Sequence, residues 1–339
     1  TPIIINDNTL IKNLKCIGIL ILSDVIRQDA KTTLDYFKRQ DVDIKIISGD
    51  DPVTVSAIAR RCHLLNYEHY IDVSSLSDEQ IKEAIEKYTI FGRVSPKQKQ
   101  LMVNALQENN HTVAMTGDGV NDVLALKAAD CSIAMASGSD AAKSASHIVL
   151  LKNNFNAMPH IVNEGRRVIN NITASASMYL IKTIFSVVLS IGMILFGHGY
   201  PFKPIQLTVI SACCVGIPTF FLTYEPNFKR VSGDFLKTVF KNAFPFAFMI
   251  AICSTIIVNG GRVLGLEKEM LSTICVLLTS WCYYSGLRHI YSPLSHYRSF
   301  VIHIMQIVLY ISLIVGHQFL GLGNIDYIGA ITLMFLVTF

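Results

Sequence analysis

The chain has 339 residues, a formal net charge of +4 at pH 7, 51% hydrophobic residues and a mean hydropathy of +0.42. This length accommodates two or more domains, and the small net charge gives no support for nucleic-acid binding. The eight cysteines include no Cys-x-x-Cys pair, so we expect free thiols. Charged residues are frequent up to about residue 170, and long apolar stretches follow, which predicts an α/β domain joined to a membrane domain.

The first half alternates short apolar runs with helical patterns. The predicted strands are residues 16–22, 43–48, 88–91, 113–115, 132–134 and 148–151. The predicted helices are residues 29–39, 52–61 and 96–107. This order predicts an α/β doubly wound parallel sheet, with its site beyond the carboxyl ends of the strands. Because the sequence begins without Met or a signal peptide, we expect a fragment of a longer protein.

Polar residues follow the predicted strands. After the first three strands these residues are Ser23, Asp24 and Arg27, then Ser48, Gly49 and Asp50, then Arg93, Lys97 and Lys99. After the fourth, residues 116–122 read Thr-Gly-Asp-Gly-Val-Asn-Asp, which places Asp118 and Asp122 at a strand-to-helix turn. Carboxylates combined with phosphate oxygens suit Mg²⁺, and glycines permit close approach of a ligand. Any one of these residues alone is commonly a helix cap or a solvated charge, but together they predict a phosphoryl and metal site.

Four motifs occur in the order found in P-type ATPases. Residues 116–122, with Ala-Leu-Lys at 125–127 and Ile-Ala-Met at 133–135, resemble the hinge motif of that family. The other three are Ser-Gly-Asp at 48–50, Arg-Val-Ser-Pro at 93–96 followed by Lys99, and Ser-Asp-Val-Ile-Arg at 23–27, which lacks the two prolines usual in its motif. The chain therefore resembles P-type (E1-E2) cation-transporting ATPases, and the resemblance implies a haloacid-dehalogenase-like phosphorylation domain.

The resemblance also implies roles for individual residues. Asp118 would bind the catalytic Mg²⁺, Asp122 would support that metal site, and Asn121 would contact the phosphoryl group. Lys99 would neutralise charge on the aspartyl phosphate, and the phosphoryl oxygens would accept hydrogen bonds at Ser48 and Gly49. The side of the site that binds ATP would include Asp24, Arg27, Asp50 and Arg93.

One motif of the family does not occur in the sequence. The nucleophilic Asp of Asp-Lys-Thr-Gly-Thr is absent, so we expect residues 1–339 alone to form no phosphoenzyme. In the family this motif precedes a nucleotide-binding domain. Residues 1–14 are therefore interpreted as the tail of that domain or a linker, 15–157 as the carboxyl-terminal part of the phosphorylation domain, and 158–171 as a connecting helix.

Residues 172–339 contain six predicted membrane spans. They are residues 172–196, 205–223, 242–258, 270–287, 300–315 and 327–339, the last of which is too short to cross a bilayer. Any one of these segments alone could be a buried helix of a globular core. Five long apolar segments within about 170 residues favour membrane spans instead. Eight basic residues fall in segments on the phosphorylation-domain side and three on the other side, which predicts a cytoplasmic domain in a multi-pass protein of the cell membrane.

The resemblance implies a transport site in the first two spans, where calcium and sodium pumps of the family carry carboxylates and amides that bind the ion. This chain has no carboxylate there, and its candidates are Lys182, Thr183, Ser186, Ser211, Gly216 and Pro218. Lys182 lies roughly 15 Å inside its span and is interpreted as a counter-charge or a proton-linked group. Gly216 and Pro218 are predicted to unwind the second span and free backbone carbonyls as ligands. The adjacent Cys213 and Cys214 are interpreted as packing residues rather than a soft-metal site.

The span count and the residues after the hinge motif favour the calcium-pump-like branch over heavy-metal pumps and lipid flippases. The predicted function is ATP-driven cation transport through an aspartyl phosphate, by a monomer that uses Mg²⁺ and ATP. Ca²⁺ is the first choice of cargo, and Mg²⁺, another cation or a polyamine stay open. A membrane-anchored phosphatase without transport is the alternative from another class. A non-catalytic regulator is disfavoured because Lys99, Asp118 and Asp122 are all present.

Overall fold

The computed structural model describes residues 26, 28–151, 154–231 and 233–323. The chain forms two compact units, Thr1–His160 and Ile161–Phe339. The predicted strand 16–22 and the predicted span 327–339 lie outside the described residues, as do Ser23, Asp24 and Arg27.

The first unit consists of parallel strands and helices. Its helices α1–α6 are Gln28–Arg39, Pro52–Arg61, Asp78–Lys87, Pro96–Glu108, Val123–Ala128 and Asp140–Ala145. Its strands β1–β6 are Ile46–Ile47, Tyr70–Asp72, Ile90–Gly92, Ala114–Gly117, Cys131–Met135 and Ile148–Leu150. The described strands form two parallel three-stranded sheets, ordered β1-β3-β2 and β4-β5-β6, so the predicted α/β class is confirmed. The sequence prediction missed β2 and α3.

Helix α4 illustrates how local sequence sets an element. The Ser95 hydroxyl accepts a hydrogen bond from the Gln98 N–H at 3.4 Å, and the Ser95 N–H donates one to Gln98 Oε1 at 2.9 Å. Pro96 follows at the first helical position, where a missing N–H is harmless. Met102 is fully buried in the core that α4 shares with α3. These constraints place Lys99 in the first turn of α4.

The second unit is helical. Helices α7–α13 are Ala157–Leu195, Pro204–Ile210, Ile217–Leu222, Phe235–Val263, Lys268–Ile290, His296–Val315 and His317–Leu320, with a π-helical turn at Ser211–Gly216 between α8 and α9. Five segments are long and apolar enough to cross a membrane, and they coincide with the first five predicted spans: Ala157–Leu195, Pro204–Leu222, Phe235–Val263, Lys268–Ile290 and His296–Val315. The predicted connecting helix and the first span are one continuous helix, α7.

The start of α12 carries a buried arginine. The Arg298 side chain is 8% exposed, and its Nε lies 3.0 Å from Oε2 of Glu225 in the loop that follows α9. Its Nη1 donates to the carbonyl oxygens of Tyr291 and Pro293 at 2.8 and 3.2 Å. The Ser295 hydroxyl donates to the same Glu225 oxygen at 2.7 Å. Arg298 thus joins the loop after α9 to the loop between α11 and α12.

We predict that Arg298→Ala lowers the midpoint of thermal unfolding in detergent. The substitution leaves the Glu225 carboxylate and two loop carbonyl oxygens without the guanidinium that binds them. The free energy of unfolding should fall by about 2–3 kcal/mol. This is less than the loss expected on breaking a fully buried ion pair, because Glu225 is partly exposed. Arg167→Ala is the control, since Arg167 pairs with the exposed Glu164 one turn away on α7 and should cost less than about 0.5 kcal/mol. Equal shifts in the midpoint for the two variants would show that the Arg298 cluster stabilises nothing.

Candidate functional site

The most constrained carboxylate of the predicted site is that of Asp122. Its Oδ1 lies 2.6 Å from the Lys99 ammonium, and the two side chains are only 10% and 12% exposed. Its Oδ2 accepts hydrogen bonds from the backbone N–H groups of Gly119 and Asp118, at 3.1 and 3.3 Å. Both carboxylate oxygens of Asp122 therefore have partners, and these bonds fix the backbone of the turn.

The glycine before Asp118 allows the turn to close over Asp122. Strand β4 ends at Gly117, a 3₁₀ turn follows at Val120–Asp122, and α5 begins at the next residue. A Cβ at Gly117 would lie 2.6 Å from the Cβ of Asp122 and 2.9 Å from its Oδ2. A side chain at position 117 would thus displace the carboxylate that Lys99 binds.

Asp118 differs from Asp122 because its carboxylate is exposed. No residue in the described parts of the chain forms a hydrogen bond or an ion pair with that carboxylate. Its backbone is fixed instead: the carbonyl oxygen accepts the Ser139 N–H at 2.8 Å, and a Cβ at Gly138 would lie 2.8 Å from the same oxygen. The loop after β5 therefore braces Asp118 while its side chain stays available, and Asn121 is exposed beside it.

These residues fit a magnesium ion bound through a single carboxylate. Mg²⁺ commonly takes one or two carboxylates and completes its shell with phosphate oxygens and water. Asp118 offers free carboxylate oxygens, whereas those of Asp122 are engaged by an ammonium and two N–H groups. Among residues 28–151, 154–231 and 233–323, no three His, Cys, Asp or Glu side chains are grouped to hold a metal. The turn therefore provides an open ligand rather than a closed metal cage.

A second cluster lies where β1 and β3 end. The Ser48 hydroxyl donates to Asp50 Oδ2 at 3.0 Å and accepts the Asp50 N–H at 3.1 Å. The Ser48 backbone bonds to strand β3 and the residues after it, through the Phe91 carbonyl oxygen and the Val94 N–H. An added Cβ at Gly49 would meet no atom within 4 Å, so the backbone between Ser48 and Asp50 is open to a ligand.

Arg93 is held at this cluster by acidic residues that the sequence prediction missed. It has a positive φ of 54°, and its N–H donates to the Asp50 carbonyl oxygen at 2.9 Å. Its guanidinium lies 3.2 Å from Asp51 Oδ2 and 3.4 Å from Asp72 Oδ2. The Ser74 hydroxyl and N–H, which bond to Asp72, hold the pKa of that carboxyl below its ordinary value, and Arg93 adds to the effect. Position 51, directly before Pro52, was a recognisable helix cap.

The predicted site residues thus form two clusters. Lys99, Asp118 and Asp122 lie together, and Ser48, Asp50 and Arg93 lie together. In the part of the chain that the structure describes, no hydrogen bond or ion pair joins the two clusters. Asp24 and Arg27 lie outside the described residues.

In the membrane unit, Lys182 of α7 reaches the π-helical turn. Its ammonium donates to the Ser211 hydroxyl at 2.9 Å, and that hydroxyl donates to the Leu207 carbonyl oxygen at 2.6 Å. The sequence has no Asp or Glu from residue 165 to residue 224. The described partner of Lys182 is therefore a neutral hydroxyl rather than a carboxylate. Of the other candidates on α7, Thr183 is exposed and Ser186 is partly buried.

The predicted unwinding at Gly216 and Pro218 takes the form of a π-helical turn instead. The Ile217 N–H donates to the Ala212 carbonyl oxygen, five residues back. The next bond of this pattern would run from residue 218 to Cys213, but Pro218 has no N–H. The Tyr284 hydroxyl of α11 donates to the Cys213 carbonyl oxygen at 3.3 Å. Cys213 and Cys214 are buried, and the seven described cysteines are free thiols.

Comparisons with known proteins identify relatives of both units. Residues 5–130 match the family model of haloacid dehalogenase-like hydrolases. The probable cation-transporting ATPase exp7 of Streptococcus pneumoniae is 43% identical over 274 residues, which are 78% of this chain and 35% of that protein. The calcium-transporting ATPase CtpE of Mycobacterium bovis is 40% identical over 281 residues, with the same two coverages. The chain spans about a third of the length of these relatives.

A solved structure also matches part of the chain. It is a structure of the catalytic domain of the CPx-ATPase CopB-B, from work on its conformational changes upon nucleotide binding. Its sequence is 28% identical to the matched part of this chain, and the TM-score is 0.33. The match covers 41% of this chain and 46% of that one.

We predict that Gly117→Ala destabilises the first unit by about 1–3 kcal/mol, because the new methyl group overlaps the Asp122 side chain. Thermal unfolding of the protein should show the loss. Gly165→Ala is the control, because nothing lies within 4 Å of an added Cβ there and alanine favours a helix. A Gly117→Ala protein as stable as the control would mean that the turn does not close as described.

Proposed function

From the kinship of this chain with the P-type cation-transporting ATPases, we propose that it supplies half of a phosphorylation site and part of the transport domain of an ATP-driven cation pump. The observation that carries the proposal is the pairing of a shielded Lys99–Asp122 ion pair with an exposed, unpaired Asp118 carboxylate. The five membrane-crossing segments make the protein a multi-pass membrane protein, as its relatives' names lead one to expect.

The proposed reaction is transfer of a phosphoryl group from ATP to a carboxylate outside this sequence, followed by its hydrolysis. Phosphoryl transfer depends on positioning and charge neutralisation more than on covalent participation of other side chains. Lys99 places one positive charge beside the turn, fixed by Asp122. Bound at Asp118, Mg²⁺ would supply further positive charge for the phosphoryl oxygens. Asn121, the Ser48 hydroxyl and the open backbone at Gly49 are the proposed hydrogen-bonding groups.

The side of the site that binds ATP is proposed to include Asp50 and Arg93, with Asp24 and Arg27 from outside the described residues. Two carboxylates hold the Arg93 guanidinium, which keeps a planar cationic group in place at the end of β3. An arginine held in this way can bind the phosphates or the base of a nucleotide.

Cation transport is proposed to involve Lys182, Ser211 and the π-helical turn, with Gly216 and Pro218 shaping that turn. A hard cation such as Ca²⁺ prefers oxygen ligands, and the turn offers a hydroxyl and backbone carbonyl oxygens. The Lys182 ammonium already occupies the Ser211 hydroxyl. Because like charges repel at short range in a membrane, we propose that Lys182 leaves this position when a cation binds and returns when it departs.

Ca²⁺ is the proposed cargo because several relatives are named calcium-transporting ATPases. Mg²⁺, another cation or a polyamine are the alternatives that an ion screen would distinguish. A membrane-anchored phosphatase is less well supported, since one span would anchor it and the described residues already include five candidate spans. The monomeric state stays a prediction.

We predict that Asp118→Asn in the intact protein lowers ATP hydrolysis by at least about 100-fold, because the exposed ligand for Mg²⁺ is lost. Phosphoenzyme formation from radiolabelled ATP should fall or its turnover should stop. Asp140→Asn is the control, since the Asp140 side chain is 97% exposed and pairs only with Lys143 on its own helix. Unchanged hydrolysis by Asp118→Asn would refute the assignment of the metal ligand.

We predict that Lys182→Met changes the cation dependence of ATP hydrolysis without abolishing phosphorylation. The half-saturating Ca²⁺ concentration should shift by about tenfold or more, because a charge within the membrane is removed from beside the binding oxygens. Val187→Ala is the control, since Val187 is an exposed residue of the same helix that was not among the transport-site candidates. If Lys182→Met and wild type respond identically to every cation in the screen, Lys182 does not belong to the transport site.

A further inference from the structure

We propose that the amino-terminal half of α10 binds an anionic phospholipid from the cytoplasmic leaflet. The binding surface, called here the α10 lipid face, consists of Lys237, Lys241, Phe240, Phe244 and Phe248. Its two lysines would hold the phosphate of the headgroup, and its three phenyl rings would line one acyl chain. This site is separate from the phosphoryl and transport sites, and the inference requires that the chain spans a membrane with its hydrolase-like domain on the cytoplasmic side.

The spacing of these five residues places them on one side of the helix. Lys237 is followed three and seven residues later by Phe240 and Phe244, and Lys241 is followed three and seven residues later by Phe244 and Phe248. Residues three, four and seven positions apart share one face of an α-helix. Both lysines lie at the start of this face, and the rings continue it toward the middle of the membrane.

The rings form a continuous column that points away from the helical bundle. Phe240 and Phe244 stack with ring centroids 5.4 Å apart, and Phe244 and Phe248 follow at 5.7 Å. Each of the three side chains is 40–41% exposed. Phe246, which lies between them in sequence, turns to the other side of α10 and packs on His289 of α11. The exposed column therefore faces the lipid.

The two lysines carry charge that no described residue neutralises. Helix α10 contains no Asp or Glu. The nearest carboxylate in sequence, Asp234, accepts the N–H groups of Leu236 and Lys237 and caps the helix. Across residues 28–151, 154–231 and 233–323, neither ammonium takes part in a hydrogen bond or an ion pair. Two exposed positive charges are thus left for a ligand outside the chain.

The lysines also lie at the end of the bundle that the anionic leaflet faces. The Asn170 side chain near the start of α7 donates to the carbonyl oxygens of Asn227 and Lys229, just before α10. The start of α10 therefore lies at the same end as the start of α7, which follows the hydrolase-like domain in sequence. Each basic side chain at an anionic membrane surface is worth about a fivefold change in affinity.

The ligand class follows from this combination of groups. A phospholipid with a net negative headgroup satisfies both ammonium groups, whereas a choline headgroup brings its own positive charge to the same place. A water-soluble phosphate would match the lysines but would leave the column of rings unused. Charge and apolar surface together therefore indicate an anionic lipid rather than a free anion.

The test is native mass spectrometry of the intact protein in detergent, with dioleoylphosphatidylglycerol or dioleoylphosphatidylcholine added. We expect wild type to retain phosphatidylglycerol in preference to phosphatidylcholine. Lys237→Gln with Lys241→Gln should weaken phosphatidylglycerol binding by about 30-fold, from about fivefold for each charge. Equal retention of the two lipids by wild type would overturn the proposal.

Matched variants separate this site from general charge effects and from misfolding. Lys237→Arg with Lys241→Arg keeps both charges and should retain the lipid. Lys268→Gln removes one charge at the start of α11, at the opposite end of the bundle, and should leave binding unchanged where Lys241→Gln weakens it. Each variant should unfold in detergent at the wild-type temperature, since the ammonium groups of these lysines form no hydrogen bond or ion pair with a described residue. Undiminished phosphatidylglycerol binding by the double glutamine variant, or an equal loss in Lys268→Gln, would refute the α10 lipid face.

Discussion

The ion pair between Lys99 and Asp122 is the interaction on which the candidate phosphoryl site depends. Removing two charged groups from water is costly, and such a pair is tolerated only when its remaining hydrogen-bonding positions are satisfied. Asp122 meets this condition because the N–H groups of Asp118 and Gly119 bond to its second oxygen. The same bonds fix the backbone that carries Asp118. Satisfying the buried carboxylate therefore positions the exposed one.

The membrane unit also contains a partly buried charged side chain, that of Lys182, but its described partner is uncharged. Lys182 has a hydroxyl as its described partner, and that hydroxyl in turn bonds to a backbone carbonyl oxygen. Arg298, at the end of its bundle, has a carboxylate and two carbonyl oxygens. The first arrangement holds a charge loosely and suits a group that exchanges partners. The second holds a charge firmly and suits a group that ties loops together.

The residues of the candidate phosphoryl site could be proposed from the sequence because they are contiguous or follow predicted strands, and their roles stay predictions. The sequence predicts both the turn at residues 116–122 and the position of Lys99 near the start of a helix. The division of labour between Asp118 and Asp122 was not, because it depends on which carboxylate the lysine reaches in three dimensions. Asp51 and Asp72 were missed as partners of Arg93 for the same reason: they come from different strand ends.

The fold was predicted where elements had strong local signals and missed where they did not. Strand β2 has three residues, too few to show alternation, and α3 is mostly charged with a narrow apolar face of Ile81, Ala84 and Ile85. In the second span, Gly216 and Pro218 signalled an irregular helix correctly. They did not reveal a π-helical turn, because its extra residue is accommodated by contacts with α11 that no local pattern contains.

The hydrogen bond from Tyr284 to the Cys213 carbonyl oxygen has a consequence for movement. In the π-helical register, the backbone donor for that oxygen would come from residue 218, and proline has no N–H. Its only described donor belongs to another helix. While the turn stays π-helical, a displacement that parts α11 from it therefore uncovers a lone pair inside the membrane. A polar visitor, whether water or a cation, would then be drawn to it.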